Sequence, residues 1–141
     1  MNGYKFIEHP ADIAVELSAG SIEELFETGA EAWKSSVLEN SSTEIPFEFL
    51  IENESNTLEE LLVEFLSELN FMLFSKKLVY SKIKSLIIEE NNTYKLTAAL
   101  YFEDFNPSWH QLKAEIKAIT YHQMKIEKTK NNYSTKLILD I

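Results

Sequence analysis

The stretch TLEELLVEFLSELNFMLF, residues 57–74, decides the fold class of this chain. Thr57 stands before it and Glu60 follows three positions later, which is the spacing of a capping box at a helix start. The apolar residues then recur every three or four positions, as on the buried face of an amphipathic helix. These residues are Leu58, Leu61, Leu62, Phe65, Leu66, Leu69, Met72 and Leu73. The sequence therefore predicts a helix over 57–74.

A second helix is predicted upstream, over 21–38. Ser21 and Glu24 repeat the capping-box spacing. The apolar positions again follow helical spacing, at Ile22, Leu25, Phe26, Ala30, Trp33 and Val37. Each helix follows a strand-like stretch, at 13–17 and 45–51, so the N-terminal half is compatible with a duplicated β–α unit.

The remaining sequence has the pattern of strands. Residues 83–88 and 94–102 flank Asn91-Asn92 and predict a hairpin, followed by a loop over 103–109. Apolar and charged residues alternate over 113–118, as in a strand. We predict one domain, 1–141, of the α+β class. Its two amphipathic helices would pack on one face of a single, mostly antiparallel or mixed β-sheet.

The charge of the chain limits its partners. The formal net charge is −10, from 13 basic and 23 acidic residues, and every basic residue is Lys. Proteins that bind nucleic acid on their own need a positive surface and favour Arg for bidentate phosphate contacts. We therefore expect no strong direct binding of nucleic acid. A metal site, or docking on a basic partner, suits this composition.

Composition also indicates the compartment. With no Cys, the chain has no disulfide, thiol nucleophile or Cys-ligated metal. No apolar run approaches the ~18–20 residues that span a bilayer, so we expect no membrane association. The first residues lack the basic-then-apolar order of a signal peptide. We expect a cytoplasmic protein.

Candidate functional residues lie near the two ends of the chain. Asp12 begins a predicted strand, Asp140 ends the last one, and Ile141 adds the α-carboxylate. If these three carboxylates meet, a cation must offset their repulsion, and oxygen ligands select Ca²⁺, Mg²⁺ or Mn²⁺. An Asp at a strand edge equally suits a turn, and a final Ile equally suits a packed strand end. The residues alone therefore leave the site open.

Four segments, taken in order along nearly the whole chain, resemble the archease family. They are His9-x-Ala11-Asp12-Ile13, LEELLVEFLSEL at 58–69, EIKAITYH at 115–122 and LDI at 139–141. The stretch from Lys117 to His122 is the most specific of them. Pro10 is a departure, because the family commonly has Thr at that position, and any role of the Thr hydroxyl is missing here.

The resemblance implies a function. Archeases activate the RtcB-type RNA ligase of tRNA splicing and RNA repair, promoting GTP-dependent guanylylation of the ligase and multiple turnovers. By this resemblance the chain is a non-enzymatic activator. Asp12, Asp140 and Ile141 match the family's metal site, and Lys117 matches its functional lysine. We expect His9 and His122 to orient the site rather than to bind metal.

Two other functions remain open at this point. A chaperone-like modulator of RNA-modifying enzymes would act through apolar surface instead of the metal site. A small metal-dependent phosphohydrolase would turn over substrate by itself. The phosphohydrolase is the weaker of the two, because the sequence lacks a second carboxylate cluster and a paired general acid and base.

Overall fold

The computed structural model describes residues 2–7, 12–40, 46–120 and 124–141. The chain contributes two helices and eight strands to these ranges, and the predicted α+β class is confirmed. In chain order the elements are β1 (Gly3–Ile7), β2 (Asp12–Ala19), α1 (Ile22–Val37), β3 (Phe47–Ser55), α2 (Leu58–Lys76), β4 (Leu78–Glu90), β5 (Tyr94–Asp104), β6 (Ala118–Thr120), β7 (Glu127–Thr129) and β8 (Asn132–Asp140).

Both helices begin at the predicted capping boxes. The Glu24 backbone N–H donates to Ser21 Oγ at 3.2 Å, and the Glu60 backbone N–H donates to Thr57 Oγ1 at 3.1 Å. These bonds satisfy amide groups that have no partner within the helix. Side-chain hydrogen bonds from Asn2 and Ser21 lower the pKa of Glu24. Lys77 caps the C-terminal end of helix α2 and adopts the left-handed conformation with φ of 60°.

The strands form two antiparallel sheets, which corrects the expectation of a single sheet. In the larger sheet the order is β1-β2-β8-β6, with β7 also paired to β8, and in the smaller it is β3-β5-β4. The predicted hairpin is β4–β5. Strand β2 instead pairs with β8, more than a hundred residues away, and β1 pairs with β2. Local periodicity carries no information on such distant pairing.

The two predicted β–α units exist, but β2 and β3 lie in different sheets, and a duplication remains a prediction.

The helices join the two sheets into one core. Helix α1 contacts β2 of the larger sheet and β4 of the smaller, and α2 contacts β6, β3 and β4. Burial of apolar surface at these contacts is the main stabilising term. The largest fully buried side chains include Phe26, Trp33, Phe65, Tyr80 and Phe102. No helix in the described ranges has the length and apolar character needed to cross a bilayer.

The segment between β5 and β6 differs from the prediction. Residues 113–117 form no strand, and Ile116 and Ile119, three positions apart, are both buried. The strand expected over 113–118 is therefore wrong, except that Ala118 begins β6. Hydrogen bonds to the end of α1 hold the segment instead, because the Lys113 N–H donates to Val37 O at 2.8 Å.

The loop predicted over 103–109 begins later than expected, because Glu103 and Asp104 belong to β5, and a buried polar pair joins its two ends. Glu103 and His110 are 0% and 2% exposed, and His110 Nε2 lies 2.7 Å from Glu103 Oε2. The Asn106 backbone N–H donates to His110 Nδ1 at 2.8 Å. Since Nδ1 accepts a hydrogen bond, the ring proton is on Nε2, and Nε2 donates a hydrogen bond to Glu103.

Candidate functional site

Asp12 and Asp140 are directly opposite each other in the larger sheet. Strand β2 begins at Asp12, β8 ends at Asp140, and the two residues are register partners in the antiparallel pair. Opposite residues of such a pair place their side chains on one face, with Cβ atoms about 4.5–5.5 Å apart. The fold thus brings together two carboxylates that are far apart in sequence. Their assignment as metal ligands stays a prediction.

The two carboxylates lie on the outer face of the sheet. Val15 and Leu17 of β2 point into the core with Leu137 and Leu139 of β8, and side chains alternate along a strand. Asp12 and the exposed Asp140 therefore belong to the face turned away from the helices. A solvated ion or a partner protein can approach this face.

The donor chemistry of this sheet end fits a hard cation. Two carboxylates come from Asp12 and Asp140, and the α-carboxylate expected at Ile141, which is 44% exposed, would be the third. Across the described ranges, no group of three or more His, Cys, Asp or Glu side chains is placed to hold a metal ion. The predicted set therefore depends on the α-carboxylate as its third oxygen donor. An all-oxygen set of this kind suits Mg²⁺, Mn²⁺ or Ca²⁺, which keep further positions for water or phosphate oxygens.

Lys117 reaches the same end of the sheet through its backbone. Its N–H donates to Asp140 O at 2.7 Å, and the following residue, Ala118, is the register partner of Asp140. The exposed Lys117 also lines a groove of about 490 Å³ between α2 and residues 115–119. The main chain of Lys117 is thus bonded to Asp140 of the carboxylate pair. Lys117 also lies beside α2, in the groove that the two segments form.

Phe71 links the Lys117 groove to a second groove. The second has a volume of about 600 Å³ and lies between β3 and α2. The two grooves share Ser67 and Phe71 as lining residues. Phe71 is 52% exposed, although its neighbours Met72 and Leu73 are buried as the helical pattern predicts. The two grooves therefore form one continuous surface of mixed polar and apolar residues along α2, from Lys117 to Phe49 of β3.

Asn70 is a residue of this region that the sequence pattern missed. Its side chain accepts a hydrogen bond from Trp33 Nε1 at 2.9 Å and donates to Ile116 O at 2.8 Å. A single Asn inside the apolar run of α2 was the available signal, since a polar side chain among buried residues needs partners. Its partners, however, come from α1 and from the segment before β6, which helix periodicity does not reveal.

His9 and His122, the two histidines predicted to orient the site, lie outside the described residues, as does Pro10.

Comparison with known proteins gives one family. Residues 4–141 match the archease protein family (MTH1598/TM1083). Protein archease of Pyrococcus furiosus is 36% identical over 142 residues, covering 100% of this chain and 100% of that protein.

Two solved structures share the fold. The solution structure of Methanobacterium thermoautotrophicum protein 1598 superposes with a TM-score of 0.82 at 26% identity, covering 99% of each chain. The crystal structure of an archease from Thermotoga maritima, described as a possible chaperone, gives a TM-score of 0.62 at 28% identity, covering 97% of this chain and 96% of that one. The family match spans both helices, both sheets and the Asp12–Asp140 pair, and the chain belongs to the archease family.

Proposed function

We propose that this protein is a non-enzymatic, cytoplasmic activator of an RtcB-type RNA ligase in tRNA splicing and RNA repair. The observation that carries the proposal is the register pairing of Asp12 with Asp140, beside the Lys117 N–H bond to Asp140 O at 2.7 Å. The backbones of Asp12, Lys117 and Asp140, from three separate parts of an archease chain, thus lie together at one sheet end. This arrangement suits a surface that acts inside another protein's active site.

In the proposed reaction, a histidine nitrogen of the ligase displaces pyrophosphate from GTP and takes up GMP. Asp12, Asp140 and the Ile141 α-carboxylate would hold a divalent cation. When bound, the cation supplies charge neutralisation at phosphate oxygens. Lys117 contributes a flexible ammonium group that can contact a phosphate. The protein's own task is to present these groups to the ligase.

Charge complementarity favours this partner. The chain carries a net charge of −10 and no Arg, so its own surface does not suit RNA phosphates. A ligase that binds RNA and GTP needs basic groups in its active site. Opposite charges steer the two proteins together and favour insertion of the acidic sheet end.

Reconstitution tests the proposal. Cognate ligase, GTP, Mn²⁺ or Mg²⁺ and RNA with a 2′,3′-cyclic phosphate end are mixed with and without this protein, and ligase–GMP formation and the number of turnovers are measured. We expect this protein to raise both quantities and to show no ligation or GTP hydrolysis by itself. Unchanged guanylylation would contradict the activator function. Robust GTP hydrolysis by the isolated protein would favour a metal-dependent phosphohydrolase.

A second candidate function is a chaperone-like modulator of RNA-modifying enzymes. The exposed Phe71 and Phe49, at 52% and 40%, favour it, because exposed apolar patches mark contact surfaces. In this case the protein would keep its partner soluble without any need for the carboxylates. Light scattering by the ligase during heating, with wild-type protein and with Asp12→Asn, separates the two functions. Protection that survives Asp12→Asn, without any gain in guanylylation, would favour the chaperone-like function.

A further inference from the structure

We infer that Asn70 is a positioning residue for Lys117: it clamps the peptide group that precedes the Lys117 side chain. The inference rests on the proposed function, because Asn70 would act through Lys117. It depends on contacts between α1, α2, the segment before β6 and the backbone carbonyl of Asp140, and on neither carboxylate side chain.

The orientation of the Asn70 amide is fixed by its neighbour Trp33. An indole N–H can only donate, so the Trp33 Nε1 contact at 2.9 Å assigns the oxygen of the amide to that side. The Asn70 nitrogen must then face Ile116 O, to which it donates at 2.8 Å. Trp33 is fully buried, so the core of the protein holds the two hydrogen bonds of Asn70 in place.

The clamp acts on a single peptide plane. The carbonyl of Ile116 and the N–H of Lys117 belong to the same peptide group, which is planar. Asn70 on α2 holds the carbonyl, and Asp140 O on β8 accepts from the N–H at 2.7 Å. With both polar ends bonded, this plane cannot rotate without breaking a hydrogen bond. Together with the pairing of the next residue, Ala118, with Asp140, the held plane limits the direction in which the Lys117 side chain leaves the backbone.

This clamp matters because the segment has no sheet ladder of its own before Ala118. Residues 113–117 form no strand or helix. The backbone hydrogen bond that holds the earlier part of this segment runs from Lys113 N–H to Val37 O, four residues before Lys117. The buried Ile116 side chain still anchors the segment when Asn70 is changed. Loss of the Asn70 bond should therefore loosen the Lys117 peptide while the fold stays intact.

The test compares two variants of Asn70 with a matched control. Asn70→Ala removes both hydrogen bonds, whereas Asn70→Asp keeps the size and the acceptor for Trp33 but loses the donor to Ile116 O. Asn92→Asp is the control, because it makes the same chemical change at an exposed position between β4 and β5, outside both grooves. Ligase guanylylation is measured over a range of concentrations of each protein. We expect both Asn70 variants to lower the maximal stimulation by about tenfold to a hundredfold, with little change in the half-saturating concentration. Asn92→Asp should behave as the wild type.

Amide hydrogen exchange separates positioning from a general loss of structure. In Asn70→Asp, the Lys117 amide should exchange faster. The amides of Lys113 and Glu39, which donate to Val37 O and Gln111 O, should be unchanged. Faster exchange at all three amides would overturn the inference, because Asn70 would then support the fold generally.

Lys117→Ala distinguishes the failure of this inference from the failure of the proposed function. If Lys117→Ala activates the ligase fully, Lys117 is not needed for activation. Both the inference and the proposed role of Lys117 at a phosphate are then wrong. If Lys117→Ala abolishes activation while both Asn70 variants activate as the wild type, the proposed function stands and the positioning role of Asn70 is wrong.

Discussion

Asp12 and Asp140 face each other across the β2–β8 ladder, so two like charges lie directly opposite each other at one end of the larger sheet. Like charges directly opposite in a sheet are destabilising. The next outward-facing charged pair on the same two strands is Glu16 with Lys136, which is of opposite sign. The contrast supports a role for the aspartate pair that is not structural, and it supplies a matched control.

Asp12→Asn should leave the metal-free protein as stable as the wild type or more stable by about 0.5 kcal/mol, because it removes one charge of a repelling pair. Saturating Mn²⁺ or Ca²⁺ should raise the melting temperature of the wild type, since a ligand that binds only the folded state stabilises it. This rise should be largely lost in Asp12→Asn. Differential scanning calorimetry in EDTA and in metal measures both quantities. Glu16→Gln should keep the full metal response, and an equal response in Asp12→Asn would contradict a metal site at Asp12.

Lys117→Ala and Phe71→Ser distinguish the activator from the chaperone-like function. Both side chains are exposed, so each substitution should change the stability of this protein by no more than about 0.5 kcal/mol. As an activator, the protein should lose most of its stimulation in Lys117→Ala and should bind the ligase more weakly in Phe71→Ser. As a chaperone-like modulator, it should depend on Phe71 and be indifferent to Lys117. Guanylylation rates and ligase affinity, measured for both variants, decide between the two patterns.

The sequence was sufficient for the elements with local signals and insufficient for those set by distant contacts. Both capping boxes, the helical stripes and the β4–β5 hairpin follow from the spacing of neighbouring residues, and the structure has them. The division into two sheets depends on β2 pairing with β8, which no local pattern encodes.

The candidate site divides in the same way. Asp12 and Asp140 were predicted from their positions at strand ends and from the family resemblance, and they are register partners. The Asn70 contacts and the Glu103–His110 pair were not predicted, because each polar side chain finds its partners only after the helices and loops are packed. Their residue types carry no spacing that would indicate those partners.

Lys77→Gly should stabilise the protein by about 0.5–1 kcal/mol. Lys77 caps the C-terminal end of α2 with φ of 60°, a left-handed conformation that costs energy in a residue with a Cβ and little in glycine. Urea unfolding followed by circular dichroism measures the change. Lys76→Gly is the control, because Lys76 lies inside the last helical turn and should destabilise by about 0.5–1 kcal/mol. A loss of stability in Lys77→Gly would contradict this prediction. It would mean that the Lys77 side chain stabilises the fold by more than the left-handed backbone conformation destabilises it.

His110→Ala should destabilise the protein by about 3 kcal/mol, because it removes a hydrogen-bond donor from the fully buried Glu103 carboxyl group. Glu103→Gln should cost only about 1 kcal/mol, since the amide oxygen can still accept from His110 Nε2. Equilibrium urea unfolding of the two variants measures both values. Equal costs would show that the geometry of the pair matters less than its charge.

Amidation of the Ile141 carboxyl group should weaken metal binding while leaving the fold intact. Leu137 and Leu139 anchor the end of β8 in the core, whereas Ile141 lies beyond the strand and is 44% exposed. Amidation replaces the negative charge with a neutral amide of nearly the same size, so any loss reflects charge and not bulk. The metal-induced rise in melting temperature and the stimulation of ligase guanylylation should both fall.

A peptide tag appended after Ile141 should produce the same two losses, because a peptide bond also replaces the α-carboxylate. A tag before Met1 should be tolerated, since it leaves all three carboxylates unchanged. The comparison of amidated protein with C-terminally tagged protein separates charge from steric hindrance: equal losses point to the missing charge, and a loss with the tag alone points to its bulk. Full metal response and full activation in the amidated protein would exclude the Ile141 carboxylate and leave Asp12 and Asp140 as the ligands from this sheet end.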